Sequence, residues 1–329
     1  MRPAFSIRAT AVHRRAVYGM LARHNPKGDP IMPKFQRRAF LQSGLAAIPA
    51  ALAGSAAHAE SPPPTPAAAQ YKLGMVTYNM GKDMTLDELF AFCEATGLEG
   101  VELRTTHKHG VEVELSAAER AAVKARFADS PVALAGLGSA FEFHAKDEAV
   151  LRENVEGAKA YAQLAADVGA PGIKLRPNGF HPDEPEEQTI ARIGAAWREV
   201  AAFAGDLGVE TRMEVHGKGT SDPKNIRKMI DAADHPNALV CWNSNRGEED
   251  AQGSIRENFD LLADRITLVH INEIGVYQYP WQELFTILTE RNYTGFCLAE
   301  IAYNPEPERF MKYYRTTFDL YTGRYRYPQ

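Results

Sequence analysis

From Tyr71 onward, short apolar runs alternate eight times with longer segments of helical period. The runs cover 72–78, 99–103, 132–138, 171–175, 210–215, 238–242, 266–271 and 295–301. Several, such as ITLVHI at 266–271 and ALVCW at 238–242, are apolar on both faces, as expected of parallel strands covered on both sides. Between them lie helical stretches: Leu86 to Thr96, with Leu86, Leu89, Phe90 and Cys93 on one face, Leu151 to Val168, and Ile190 to Leu207. Gly97, Gly169 and Gly208 stand where helices should stop. Eight such units without a composition break predict a closed (β/α)8 TIM barrel over 71–329 rather than an open doubly wound sheet. No glycine-rich dinucleotide or phosphate loop is present, which argues against a Rossmann-type enzyme.

The first 59 residues follow a different pattern. Arg37-Arg38-Ala39-Phe40-Leu41 is a twin-arginine motif, followed by the Ala-rich apolar stretch 45–53 and by Ala57-His58-Ala59. Basic, then apolar, then small-x-small is the order of an export signal cleaved after Ala59, which predicts a periplasmic or secreted protein. The apolar run is too short to span a bilayer, so no membrane association is expected after cleavage. Met32 opens a leader of more ordinary length (MPKFQRRAFLQSG) and is the expected true start. Residues 60–70 are a Pro- and Ala-rich linker.

Setting the leader aside changes the charge. Residues 1–59 hold nine of the 37 Lys and Arg and one of the 42 acidic residues, so the remaining 270 carry 28 basic against 41 acidic groups, a formal charge of −13. Nucleic acid needs a basic footprint, which this body lacks. Cys93, Cys241 and Cys297 cannot all pair, and two lie inside strand runs, so all three are expected as buried thiols.

Chemistry gathers at the ends of the runs. Only the C-terminal strand ends of such a barrel converge on one open face. Glu214, Asn243, His270 and Glu300 lie just inside or just past four runs, and each can hold a divalent metal ion. Glu214 and Glu300 sit among apolar residues, where an unpaired carboxylate costs several kcal/mol that a cation would remove. Glu102, Arg104, His107, Lys174, His216 and Asn245 occupy other strand ends and are the expected substrate contacts. Glu102 and Arg104 as an ion pair within the barrel, and Lys174 turned outward to solvent, are the competing structural readings.

KLGMVTYN, GLEGVELR, RMEVHG, VHINE and YTGFCLAE, spread over the whole of 71–329, resemble the xylose-isomerase-like sugar isomerase and epimerase barrels. That group also includes dehydratases, keto-glycoside lyases and, more distantly, endonuclease IV. The resemblance implies a divalent ion (Mn, Co, Mg or Zn) held at strands 5, 7 and 8 by Glu214, His270 and Glu300. At strand 6 this chain has Asn243 where the common pattern has Asp, which leaves a neutral amide as the fourth ligand. The activity implied is proton abstraction next to a sugar carbonyl, with Glu214 and Glu300 as base and acid and His216 on substrate hydroxyls. The outcome would be isomerisation, epimerisation or elimination on an unphosphorylated keto-sugar or 3-keto-glycoside. A non-catalytic periplasmic sugar-binding barrel is the main alternative. A phosphodiesterase of the endonuclease IV type would need more ligands and a basic groove. A small carbohydrate is the expected partner, and homo-oligomerisation is left open.

Overall fold

The computed structural model describes residues 69–276 and 278–326; the leader and most of the linker lie outside the described residues. Eight parallel strands form a closed barrel in chain order, β1 Lys72–Val76, β2 Gly100–Arg104, β3 Ala133–Glu142, β4 Gly172–Arg176, β5 Glu210–Glu214, β6 Ala238–Asn243, β7 Ile266–Ile271 and β8 Phe296–Ala299. Pairing of Lys72–Met75 with Phe296–Ala299 closes the ring. The helices alternate with them: α1 Leu86–Thr96, α2 Ala117–Ala128, α3 Glu148–Val168, α4 Glu186–Asp206, α5 Pro223–Ala233, α6 Arg256–Leu262, α7 Trp281–Glu290 and α8 Pro307–Tyr321. The predicted TIM barrel is the observed one, and the strand runs were placed to within a few residues.

Local signals account for several boundaries. Thr85 with Glu88, and Ser116 with Glu119, form reciprocal capping boxes that satisfy the first amides of α1 and α2. Gly97 and Gly169 end α1 and α3 in the left-handed conformation, which costs glycine no Cβ clash. Gly208 falls one residue beyond the cap of α4, which is Leu207. On α1 the buried face contains Phe92, and Phe90 is half-buried against Phe127 and Arg126 instead.

Side chains alternate across each strand. One set, including Leu73, Leu103, Ile173, Met213 and Val269, packs under the helices in the main core. The other set fills the barrel, where Val76, Ala135, Cys241, Leu268 and Leu298 form a small apolar cluster. All three cysteines are free and buried, as expected of small hydrophobes. No described helix is long and apolar enough to cross a membrane.

Candidate active site

The inward set turns polar at the C-terminal ends of the strands. Glu102, Lys174, Glu214, Asn243 and His270 are all 5% exposed or less. With Glu300, immediately past β8, they gather on one face of the barrel, beneath a cavity of about 320 Å3. Tyr78, Arg104, Lys174, Arg176, His216 and Asn245 contribute to its walls. A larger depression of about 660 Å3 along Glu306–Thr316 is lined, among the described residues, by the start of α8, none of them a buried polar group, and has no comparable chemistry.

His270 is the hub. Its Nδ1 lies 3.4 Å from Glu214 Oε1 and 3.5 Å from Glu300 Oε2, and its Nε2 lies 3.4 Å from Glu102 Oε2. One ligand atom from each of Glu214, His270 and Glu300 falls within 4.8 Å of the others, a spacing compatible with bonds of roughly 2.0–2.2 Å to one central ion. Buried polar atoms without partners point to the same conclusion. His270 Nδ1 and Asn243 Oδ1 have no hydrogen-bond partner, although native interiors leave few such atoms unsatisfied. Asn243 Nδ2 donates to Glu214 Oε1 at 3.3 Å, so its carbonyl oxygen is the free end. The donor set of two carboxylates, an imidazole and an amide oxygen fits a divalent cation.

Lys174 is the resident positive charge. Its Nζ donates to Glu214 Oε2 at 2.8 Å, with both side chains nearly inaccessible. It is not turned out to solvent. Burial alone would raise the Glu214 carboxyl, but the Lys174 ammonium and His270 bring it well below the ordinary value. Burial would also lower Lys174, and Glu214, Glu300 and Glu102 together reverse this and raise it. For His270, burial works against the charged ring while Cys241 and Glu102 raise it well above the usual value. Burial pushes the Cys241 thiol up and keeps it uncharged, which leaves the Glu102 carboxylate as the group that polarises the ring.

Glu102 is therefore a correction to the sequence reading. It does not line the cavity or pair with Arg104; it is turned inward to the far nitrogen of His270. Space for it comes from β3, where Gly136 pairs with Glu102 and a Cβ on Gly138 would stand 2.7 Å from Glu102 Oε1. A carboxylate on the second nitrogen of a ligating histidine fixes its tautomer and ring angle. His107 is a second correction: its Nδ1 is engaged by Thr77 Oγ1 at 2.8 Å, and it is not a wall residue. The nearby His109 bonds the Arg104 carbonyl and the Val111 amide, so the H-x-H loop is a structural brace.

Arg104, Lys174, His216 and Asn245 do reach the cavity. Asn245 is held by Val215 O at 2.6 Å and Glu248 Oε1 at 3.1 Å. Glu248 escaped the sequence reading. It is 1% exposed, accepts from Tyr279 Oη at 2.7 Å, and burial pushes its carboxyl up to about 8. It sits in the loop after β6, where no periodicity marks a buried residue. Tyr78, a cavity wall two residues past the end of β1, closed the first predicted strand run and was not singled out as a candidate site residue.

A family model described as xylose isomerase-like TIM barrel matches residues 90–313. The chain belongs to that family. Among solved structures, the barrel resembles the 3-keto-D-glucoside 4-epimerase YcjR from E. coli, at TM-score 0.63 and 15% identity over 75% of this chain and 99% of that one. It also resembles an L-ribulose 3-epimerase, at 0.64 and 18% over 77% and 95%. An IolI protein with a bound zinc atom superposes at 0.63 and 17% over 78% and 99%. No curated protein matches the chain by sequence. At these identities the neighbours establish the xylose isomerase-like fold, and function has to be argued from the site.

Proposed function

We propose that this protein is a divalent-metal-dependent carbohydrate isomerase or epimerase acting by proton abstraction next to a sugar carbonyl, with elimination from a 3-keto-glycoside as the variant the same site supports. The observation that carries the reading is the convergence of Glu214, Glu300, His270 Nδ1 and the free Asn243 Oδ1 at the floor of one polar cavity. The neighbouring folds include sugar epimerases and a zinc-bound protein, which supports the same class.

Glu214, Asn243, His270 and Glu300 would hold the ion. Bound there, a divalent cation supplies the positive charge that stabilises electron density building up on a neighbouring carbonyl oxygen. Glu102 keeps the His270 ring in place from behind. Glu214 is pinned by Lys174 and kept ionised, which makes it a poor proton acceptor. Burial and the Glu214 charge push the Glu300 carboxyl up, while His270 and Lys174 bring it below the ordinary value. It has no lysine at ion-pair distance, however, and its side chain is 16% exposed against 2% for Glu214, so it is the carboxylate a substrate can reach to give up and take back a proton. Lys174, on the cavity wall, can donate a hydrogen bond to a substrate oxygen.

The test is deuterium exchange with manganese-loaded protein in D2O. L-ribulose, D-allulose and 3-keto-glucosides are the panel. Label is expected at the carbon beside the carbonyl, falling at least 100-fold in Glu300→Gln. A protein that binds manganese and sugar yet exchanges no carbon-bound proton is a binding module, and the enzymatic reading is then wrong. The twin-arginine leader further supports a periplasmic or secreted enzyme. Replacing Arg37→Lys with Arg38→Lys should retain the protein in the cytoplasm, and unchanged export would remove that assignment.

A further inference from the structure

The cations around the cavity are not equivalent. Lys174 is matched by Glu214 at 2.8 Å and Arg176 by Glu142 at 2.6 Å. Arg104, the last residue of β2, has no carboxylate and no hydrogen-bond acceptor for its guanidinium among the described residues. Its backbone is fixed: the amide donates to Thr77 Oγ1 at 2.9 Å, and the carbonyl accepts from His109 Nε2 at 2.8 Å. The side chain lies over the Tyr78 ring, 5.6 Å from its centre. A cation–π contact uses the face of the guanidinium and consumes none of its N–H groups, so the five-donor fork stays available at the cavity wall.

We infer that the substrate carries a carboxylate and that Arg104 recognises it. The inference rests on the proposed sugar chemistry and narrows its substrate to acidic keto-sugars. The planar fork of arginine matches a carboxylate through two parallel hydrogen bonds. The charge count favours one negative charge over the two of a phosphate ester. His107, beside Arg104, is held uncharged, by burial first and by Arg104 second, with a pKa near 4. His109 is lowered by burial as well. Among the described residues that line the cavity, Arg104 is thus the one cation without a carboxylate, and a neutral sugar would leave it so. The cavity, about 320 Å3, is at the small end of ligand sites, room for one sugar unit.

The experiment compares ligands that differ at one carbon. Manganese-loaded protein is titrated calorimetrically with D-fructose, D-fructuronate and D-fructose 6-phosphate, and with the pair D-tagatose and D-tagaturonate. In at least one pair the uronate is expected to bind about 10- to 100-fold more tightly than the neutral sugar, the range of a charge-assisted pair. Arg104→Gln should abolish that preference, and Arg104→Lys should restore part of it. Equal affinity within both pairs, absence of binding included, overturns the inference, and so does a preference for the phosphate alone. If Arg104→Gln does not fold, the wild-type pairs decide. Deuterium exchange on neutral keto-sugars without a uronate preference would defeat this inference only. Uronate binding without exchange would defeat the proposed reaction only.

Discussion

Asn243→Asp places a charge where the cavity floor has an amide, and its cost without metal can be worked from one distance. Asn243 Nδ2 is 3.3 Å from Glu214 Oε1. A carboxylate at that position would face another at about the same separation, a repulsion of about 5 kcal/mol at an effective dielectric near 20. The hydrogen bond from the amide is lost too. Protonating the new aspartate caps the penalty, because holding a carboxyl of ordinary pKa near 3.9 neutral at pH 7 costs about 4 kcal/mol. For a barrel of this size, 1 kcal/mol moves the melting temperature by about 2–4 °C, so the variant in excess chelator should melt roughly 8–16 °C below wild type. Manganese should close that gap, since the added charge then faces a cation. The assay is thermal unfolding by circular dichroism in EDTA and across a manganese titration, with a chelating dye reporting affinity. If the chelated variant melts with wild type and manganese raises both equally, Asn243 does not share a charge centre with Glu214 and the four-ligand arrangement is wrong.

Three further outcomes follow from the same geometry. Glu102→Gln should weaken manganese binding about 10- to 100-fold, measured by dye competition, because the ring loses the carboxylate behind it; unchanged affinity would make the contact incidental. Lys174→Met removes one member of a buried pair and should cost about 3–5 kcal/mol in EDTA, with more rescue by manganese than wild type shows; equal melting in EDTA would mean Glu214 does not need the ammonium. Glu248 has its pKa raised in the fold to about 8, so the folded protein holds a proton that the unfolded chain releases near its ordinary value. Its contribution is complete below that ordinary value and declines as pH rises towards 8. Glu248→Gln should therefore gain on wild type between pH 5.5 and 8.5, by roughly 3 kcal/mol at most, and parallel melting profiles would refute the assignment.

The architecture was legible because parallel strands covered on both faces leave long apolar runs, and ITLVHI marks β7 to the residue. The same rule located Glu214, Asn243, His270 and Glu300, since a polar residue closing such a run must face the barrel mouth. Direction was harder to read. Glu102 lies inside an apolar run like Glu214, yet its partner is 168 residues away in sequence, and only the barrel register reveals that it meets an imidazole instead of the cavity. Phe92 displaced Phe90 from the core face of α1 because Arg126 and Phe127 of the next helix give Phe90 a partner of its own. Glu248 and Tyr279 come from loops after β6 and β7, where hydrophobic period carries no information and burial is set by neighbouring strands.

The paired glycines of β3 extend the vulnerable part of this centre to residues that have nothing to contribute chemically. Gly138 holds open the volume into which Glu102 reaches, and a methyl placed there would stand only 2.7 Å from Glu102 Oε1, inside van der Waals contact. An alanine at that point would alter no charge and touch no solvent, yet it would push the carboxylate away from His270 and let the imidazole turn. Random mutagenesis scored by loss of manganese should consequently return hits in a stretch of chain that bears no ligand.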